Sequence, residues 1–246
     1  MDRMLYVAMS GAKQTMMAQA INTQNLANAN TTGFRADLAA FRSMPVYGSG
    51  APSRVYAMAE RPGTDFKPGA IDQTGRPLDV AVNGPGWIAV QAPDGSEAYT
   101  RAGNLHISST GQLLAGNDRP VLGDGGPIAL PPSQKVEIGE DGTISVLPLG
   151  QPANTMAQVE RIRLVDPPKG QLLKGNDGLM HLRGGGRAPA SANVKLSIGS
   201  LETSNVNAVD SMVNMIELAR QFEVQVKMMH LAQQNDQQTA SLVQMA

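Results

Sequence analysis

The chain contains no cysteine, which excludes disulfides, thiolate catalysis and cysteine-held zinc and leaves cysteine silent about the compartment. Charge is scarce too, at 17% of 246 residues, and aromatic residues make up only 4%. Acidic and basic side chains nearly cancel, giving a formal net charge of −1, and nothing is polybasic, so the electrostatic case for nucleic acid or anionic lipid is missing. There is no run of about 18 apolar residues, hence no expected membrane span, and the stretch from Leu5 to Met9 is too short for the core of a secretory signal. By these rules alone the chain reads as cytoplasmic.

Catalytic patterns are equally sparse. Gly84-Pro85-Gly86-Trp87 imitates a dinucleotide loop, but such a loop opens a helix whose amides hold the pyrophosphate. Here Trp87-Ile88-Ala89-Val90 continues as a strand, and Pro85 removes an amide, so the segment reads as a hairpin turn. His106, His181 and His230 lie in separate segments without metal-ligand spacing, and Glu140-Asp141 sits at a turn signal. No nucleophile elbow, phosphate loop or HExxH pattern occurs. The expectation is therefore no enzyme activity, no cofactor, no metal and no small-molecule substrate. Trp87, the sole tryptophan, is expected in a core.

What the chain does have is a contrast between its ends and its middle. Both ends are poor in charge, rich in Asn and Gln, and patterned for helices. At the N-terminal side Leu5, Ala8, Met9, Ala12, Met16 and Ala20 lead into Asn25-Leu26-Ala27-Asn28, and Thr32-Gly33-Phe34-Arg35 breaks the pattern. At the far end Val209, Met212, Ile216, Ala219, Phe222, Val226 and Met229 recur at steps of three and four. Stripes built from Ala and Met bury little area per turn, so such helices call for partners, either each other or neighbouring chains. The polar remainder, Gln14, Gln19, Asn22, Thr23 and Gln24, suits neutral contacts with protein better than a solvated face.

The middle follows a different grammar. Around 48–75, prolines and glycines mark a connecting segment, with room for a short hairpin. From Leu78 onward short apolar runs alternate with turn signals: Leu78 to Val82, Trp87 to Gln91, Ala98 to Ile107, Lys135 to Ile138, Thr143 to Val146 and Arg161 to Val165. Asp-Gly recurs at Asp94, Asp124, Asp141 and Asp177, where glycine supplies the positive φ of a tight hairpin. Gly184-Gly185-Gly186 reads as an exit toward the last helix. The fold class expected is mixed and mainly β: an antiparallel β central domain with long N- and C-terminal helices pairing as a coiled coil. The expected divisions are an N-terminal helix in 1–32, an extended or hairpin connection in 33–75, the β domain in 76–190, and a linker with the C-terminal helix in 191–246.

Three blocks, in order, resemble the flagellar rod and hook protein family over nearly the whole chain. They are Asn25-Leu26-Ala27-Asn28 through Thr32-Gly33-Phe34-Arg35; the central Pro77 to Gly84, Ala98 to Asn104 and Asp124 to Ile128; and Ser204-Asn205-Val206-Asn207 with Met212 to Ile216 and Arg220 to Glu223. The opening Met1 to Tyr6 and Gly86-Trp87 point within the family to its proximal-rod members, with distal-rod members the nearest alternative. Pro85 and Phe222 depart from the family pattern, which commonly has an acidic residue and Tyr there. The resemblance implies a structural subunit of the basal-body rod in the periplasm, partnered by other rod proteins and by the flagellar export apparatus, and exported without a cleaved signal. It also implies that the terminal helices carry assembly, with candidate interface residues Leu5, Met9, Met16, Asn25, Leu26, Ala27, Asn28, Thr32, Gly33, Phe34, Ser204, Asn205, Val209, Met212, Met215, Ile216, Ala219, Phe222, Val226 and Met229. For Asn25 and Asn28, helix-end chemistry is the competing explanation. From a different class, the alternative is a periplasmic protein that binds or cleaves cell wall through the β domain.

Overall fold

A computed structural model describes residues 3–45, 55–152 and 155–244. Helix α1 spans Arg3–Ala27 and helix α2 spans Ala208–Gln244, with the described strands between them. The chain divides into two compact units. One comprises Met1–Ala29, Ala36–Asp65 and Val206–Ala246; the other comprises Asn30–Arg35 and Phe66–Asn205.

The second unit is antiparallel β-structure. Its largest sheet has five strands in the order Leu164–Val165, Trp87–Gln91, Glu97–Thr100, Met180–Leu182, Leu172–Lys174. The Trp87–Gln91 strand shows why the chain folds this way. Ile88 and Val90 enter one apolar cluster with Val80, Leu105, Ile144 and Ile162, while Trp87 and Ala89 enter another with Tyr99, Val165 and Leu172. A near-continuous apolar run read at period two thus supplies cores on both faces of one sheet. Ala157–Arg161, Thr143–Pro148 and Ser133–Ile138 form a three-stranded sheet in that order. Asp94-Gly95, Asp141-Gly142 and Asp177-Gly178 each turn a hairpin, with φ of 82°, 86° and 78° at the glycines. At Asp124-Gly125 the positive φ falls one residue later, on Gly126.

The run from Ala98 to Ile107 is not one strand. It stops at Thr100 and resumes at His106, because Arg101 turns into the interior and Gly103 lies so close to the Val80 carbonyl that a Cβ would sit 1.6 Å from its oxygen. Pro120 to Leu122 makes isolated bridges only. Beyond the three consecutive glycines, Ala188 is buried, its N–H donating to the Tyr99 hydroxyl at 2.8 Å. Lys195–Ile198 then pairs with Val80–Asn83 and Ser200–Glu202 with Ile71–Gln73, carrying the β unit on to Asn205.

In the other unit Asp37–Pro45 and Val55–Thr64 form a long antiparallel hairpin against α1; the part of the connecting segment at 46–54 lies outside the described residues. The two helices run antiparallel and in contact: the Asn22 side chain donates to the Ser211 carbonyl at 2.6 Å, and Thr15 and Gln225 exchange a hydrogen bond at 3.2–3.3 Å.

Mainly β is right, but the expected coiled coil needs correction. Such a seam requires apolar side chains interlocking at successive core positions. The face α1 turns to α2 instead carries Ala8, Ala12, Thr15 and Asn22, and α2 answers with Ser211 and Gln225 among its contacts. Leu5, Met9, Met16, Val209, Met212 and Ile216 are exposed. The reason lies in helical phase. The stripe read from Val209 to Met229 advances by fewer than 3.6 residues per step on average, so it winds around the helix, beginning on the outer side and ending near the contact.

Candidate assembly interface

The expected interface residues fall in two places: on the helices, and in the segments where the signature motifs lie. On α1 the exposed Leu5, Met9 and Met16 follow one another at helical spacing, flanked by Tyr6 and Met17. Met9 and Met16 border two open grooves along the helix, one lined by Met9, Lys13, Met16 and Ala20 and the next by Met16, Ala20, Thr23 and Ala27. On α2 the exposed apolar residues are Val209, Met212, Val213, Ile216, Val224 and Leu231, with Val209 at 68% and Ile216 at 56% exposure. These stand opposite Ser211, Leu218, Gln225 and Ala232, the side that meets α1. Met215, Ala219, Phe222, Val226 and Met229 are half-buried around that inner side. Helix α2 therefore has two apolar faces, only one of them covered by its own chain, which is an arrangement suited to further packing.

The Asn-Leu-Ala-Asn motif ends α1. Asn25 acts as a clip: its Nδ2 donates to the Asp37 carbonyl at 2.8 Å, and its Oδ1 accepts from the Asp37 amide at 2.9 Å. A side-chain amide here mimics a strand partner and holds the start of the hairpin to the helix end. Asn28 donates to the Gln24 carbonyl at 2.9 Å, Leu26 is half-buried and Ala27 exposed.

Thr32-Gly33-Phe34-Arg35 belongs to the β unit. Gly33 has φ of 67°, donates to the Glu202 carbonyl at 2.8 Å, and leaves no room for a Cβ, which would meet the Arg101 carbonyl carbon at 2.2 Å. Thr32 and Phe34 are half-buried; the Lys174 ammonium lies 3.9 Å from the Phe34 ring centroid and donates to the Arg35 carbonyl at 2.7 Å. From the other signature, Ser204 is buried, and Asn205 donates its amide to the Phe34 carbonyl at 3.3 Å and its side chain to the Lys67 carbonyl at 3.1 Å. The two signatures, distant in sequence, interlock inside one unit.

Beneath them is a buried charge cluster that sequence reasoning missed. Arg35 and Arg101 both bind the Glu202 carboxylate, Arg101 at 2.9 Å, and all three side chains are at most 6% exposed. Both guanidiniums lie over the Trp87 ring, 5.8 and 5.3 Å from its centroid, and Phe66 meets the same ring edge-on. Burial pulls the Arg101 pKa down, and the Glu202 carboxylate opposes that pull. The available signal was an arginine, Arg101, interrupting an otherwise strand-like run.

His106 pairs with Asp118 and His181 with Asp177, each at 3.1 Å, and His230 is exposed on α2. Among the described residues no three His, Cys, Asp or Glu side chains gather as a metal site, and no helix is long and apolar enough to cross a membrane.

Comparison with known proteins identifies the same three segments. A family profile described as "Flagella basal body rod protein" matches residues 5–35, "Flagellar hook protein FlgE/F/G D1 domain" matches 81–146, and "Flagellar basal body rod FlgEFG protein C-terminal" matches 198–242. The chain is 44% identical to the flagellar basal-body rod protein FlgF of Escherichia coli K12 and 42% identical to that of Salmonella typhimurium LT2, covering all of this chain and all of each relative. A flagellar basal-body rod protein FlgG from Buchnera aphidicola (subsp. Schizaphis graminum) is 29% identical over 97% of this chain and 98% of the relative.

Proposed function

This chain belongs to the flagellar basal-body rod protein family, as a structural subunit of the proximal rod, and from that premise we propose that it joins neighbouring rod proteins through the outer sides of α1 and α2. One observation carries this reading: large apolar side chains on both helices point away from the contact the helices make with each other. Leu5, Met9, Met16, Val209, Met212 and Ile216 are the contact residues in this account. Met215, Ala219, Phe222, Val226 and Met229 support α2 from the inner side, Asn25 ties the end of α1 to the hairpin, Leu26, Ala27 and Asn28 sit beside it, and Thr32 to Phe34, with Ser204 and Asn205, hold together within the β unit. The terminal segments 1–32 and 191–246 carry assembly, and the β domain needs no partner to fold. Covering a large exposed apolar side chain is worth roughly 1.5–3 kcal/mol, so a few per helix suffice to drive association. The subunit is non-enzymatic, works in the periplasm, and leaves the cytoplasm through the flagellar export apparatus.

The test replaces Met9 and Met16 together by Glu. Both are exposed, so the double variant should express and give the circular dichroism of the parent, yet be absent from isolated basal bodies and fail to restore swimming to a strain lacking the protein. Normal incorporation would overturn the proposed contact surface.

A further inference from the structure

The β unit holds a cleft of about 420 Å³, within the usual size of small-ligand sites, whose apolar walls include Phe66, Ile71, Val82 and Trp87. Arg101 and Glu202 also line it, and Asp166 and Lys169 stand at its exposed rim. The charge count beneath is unbalanced. Arg35 and Arg101 bring two positive charges to the single carboxylate of Glu202, and all three are buried, while the rim's Asp166 and Lys169 offset each other. The donors are also in excess. Arg101 Nη1 serves Val82 and Glu202, and Nη2 spends one of its two hydrogens on the Gly84 carbonyl at 2.7 Å. Its Nε, like Nε and Nη1 of Arg35, is buried without an acceptor. Buried cationic donors without acceptors are costly, and an anion beside them removes that cost.

We propose that this cleft binds an organic carboxylate, with its charged end at Arg101 and its apolar body against Phe66, Ile71, Val82 and Trp87. The apolar walls select a carboxylate on a hydrocarbon stem over inorganic anions, which would have to shed water against apolar surface. Planar guanidinium suits a carboxylate through paired hydrogen bonds. The site does not rest on the assembly reading, and it is measured on the soluble chain, so the two can fail separately.

Trp87 is the only tryptophan and forms part of the wall, so its emission reports on occupancy of the cleft in the full-length protein. Phenylacetate should change that emission saturably, acetate should act more weakly, and phenylacetamide, which has the same shape without the charge, should do nothing. Asp166→Asn removes an exposed anion from the rim and should tighten binding several-fold, while Lys169→Gln should weaken it; neither residue is buried, so both variants should keep the parent's thermal melt. An acetylated and amidated Leu-Glu-Leu peptide completes the series. Tighter binding of the peptide than of phenylacetate identifies a protein-borne carboxylate, the reverse identifies a free one, and both uphold the site. Equal responses to phenylacetate and phenylacetamide, no response to either, or indifference to both rim substitutions would overturn it.

Discussion

The β unit buries Ile88, Val90, Tyr99, Leu105 and Ile144 to the last exposed atom, whereas the helical unit's fully packed side chains are Ala8, Ala12, Thr15, Ala18, Ser211 and Ala232 among those described. Many of its larger described apolar residues, among them Met9, Met16, Val209, Met212 and Ile216, stay in water. Burying a Leu or Ile side chain is worth roughly 1.5–3 kcal/mol, several times what an Ala methyl returns, while ordering each residue costs about 1–2 kcal/mol in either unit. One half of the chain is therefore a finished fold, and the other is held together lightly with its best adhesive surface unused. That division is what an assembling subunit needs: a part that folds before partners arrive, and a part whose stability comes with them.

The largest loss is expected from damage to the finished half. Glu202→Gln keeps the side chain's shape and removes its charge, leaving the Arg35 and Arg101 guanidiniums buried with no carboxylate. Breaking a buried pair this way costs about 3–5 kcal/mol, so calorimetry should show a large fall in the melting temperature of the β unit. The same change at the exposed Glu223 of α2 should be silent. Equal melting of both variants with the parent would show that Glu202 is not what sustains the cluster.

This contrast also marks what could be read in the sequence. Hairpins at Asp94-Gly95, Asp141-Gly142 and Asp177-Gly178 were legible because a two-residue turn carries its own chemistry. The Arg35, Arg101 and Glu202 cluster was not, since its members are 101 and 167 positions apart and only the folded sheet unites them. Asn25 drew notice as part of a motif, yet its partner Asp37 is a backbone group, invisible to any pattern of side chains. Helix α2 was legible as a helix but not in its orientation. Steps of three and four do not fix phase over a helix of 37 residues, so the reading as a coiled coil followed a stripe that winds from the outer side to the inner.

A smaller effect is expected from Asn25→Ala, which removes both hydrogen bonds to Asp37 and exposes no core. Two such bonds are worth about 1–2 kcal/mol, and the loss should stay within the helical unit. Hydrogen exchange at the Asp37 amide should quicken while the β unit's melting temperature holds. An unchanged rate at Asp37 would mean the clip contributes nothing, and a fall in β-unit melting would mean the two units are not separable in stability.

The smallest stability effect belongs to Ile216→Asp, on the outer side of α2. Ile216 is 56% exposed on the outer side of α2, where a carboxylate stays hydrated, so helical content and melting should match the parent to within a few tenths of a kcal/mol. Phe222 lies six residues on and half-buried toward the inner side, so Phe222→Asp should lower helical content and loosen the contact with α1, because a charge there loses part of its water. Circular dichroism and exchange of the α1 amides separate the two. Assembly reverses their order of interest: an outer-side charge that is harmless in the free chain meets a neighbour's apolar surface in the rod, so Ile216→Asp should abolish incorporation into basal bodies despite its intact fold. If Ile216→Asp instead unfolded the helical unit while Phe222→Asp left it untouched, the faces of α2 would have to be exchanged, and the surface assigned to neighbouring subunits would be the one already spent on α1.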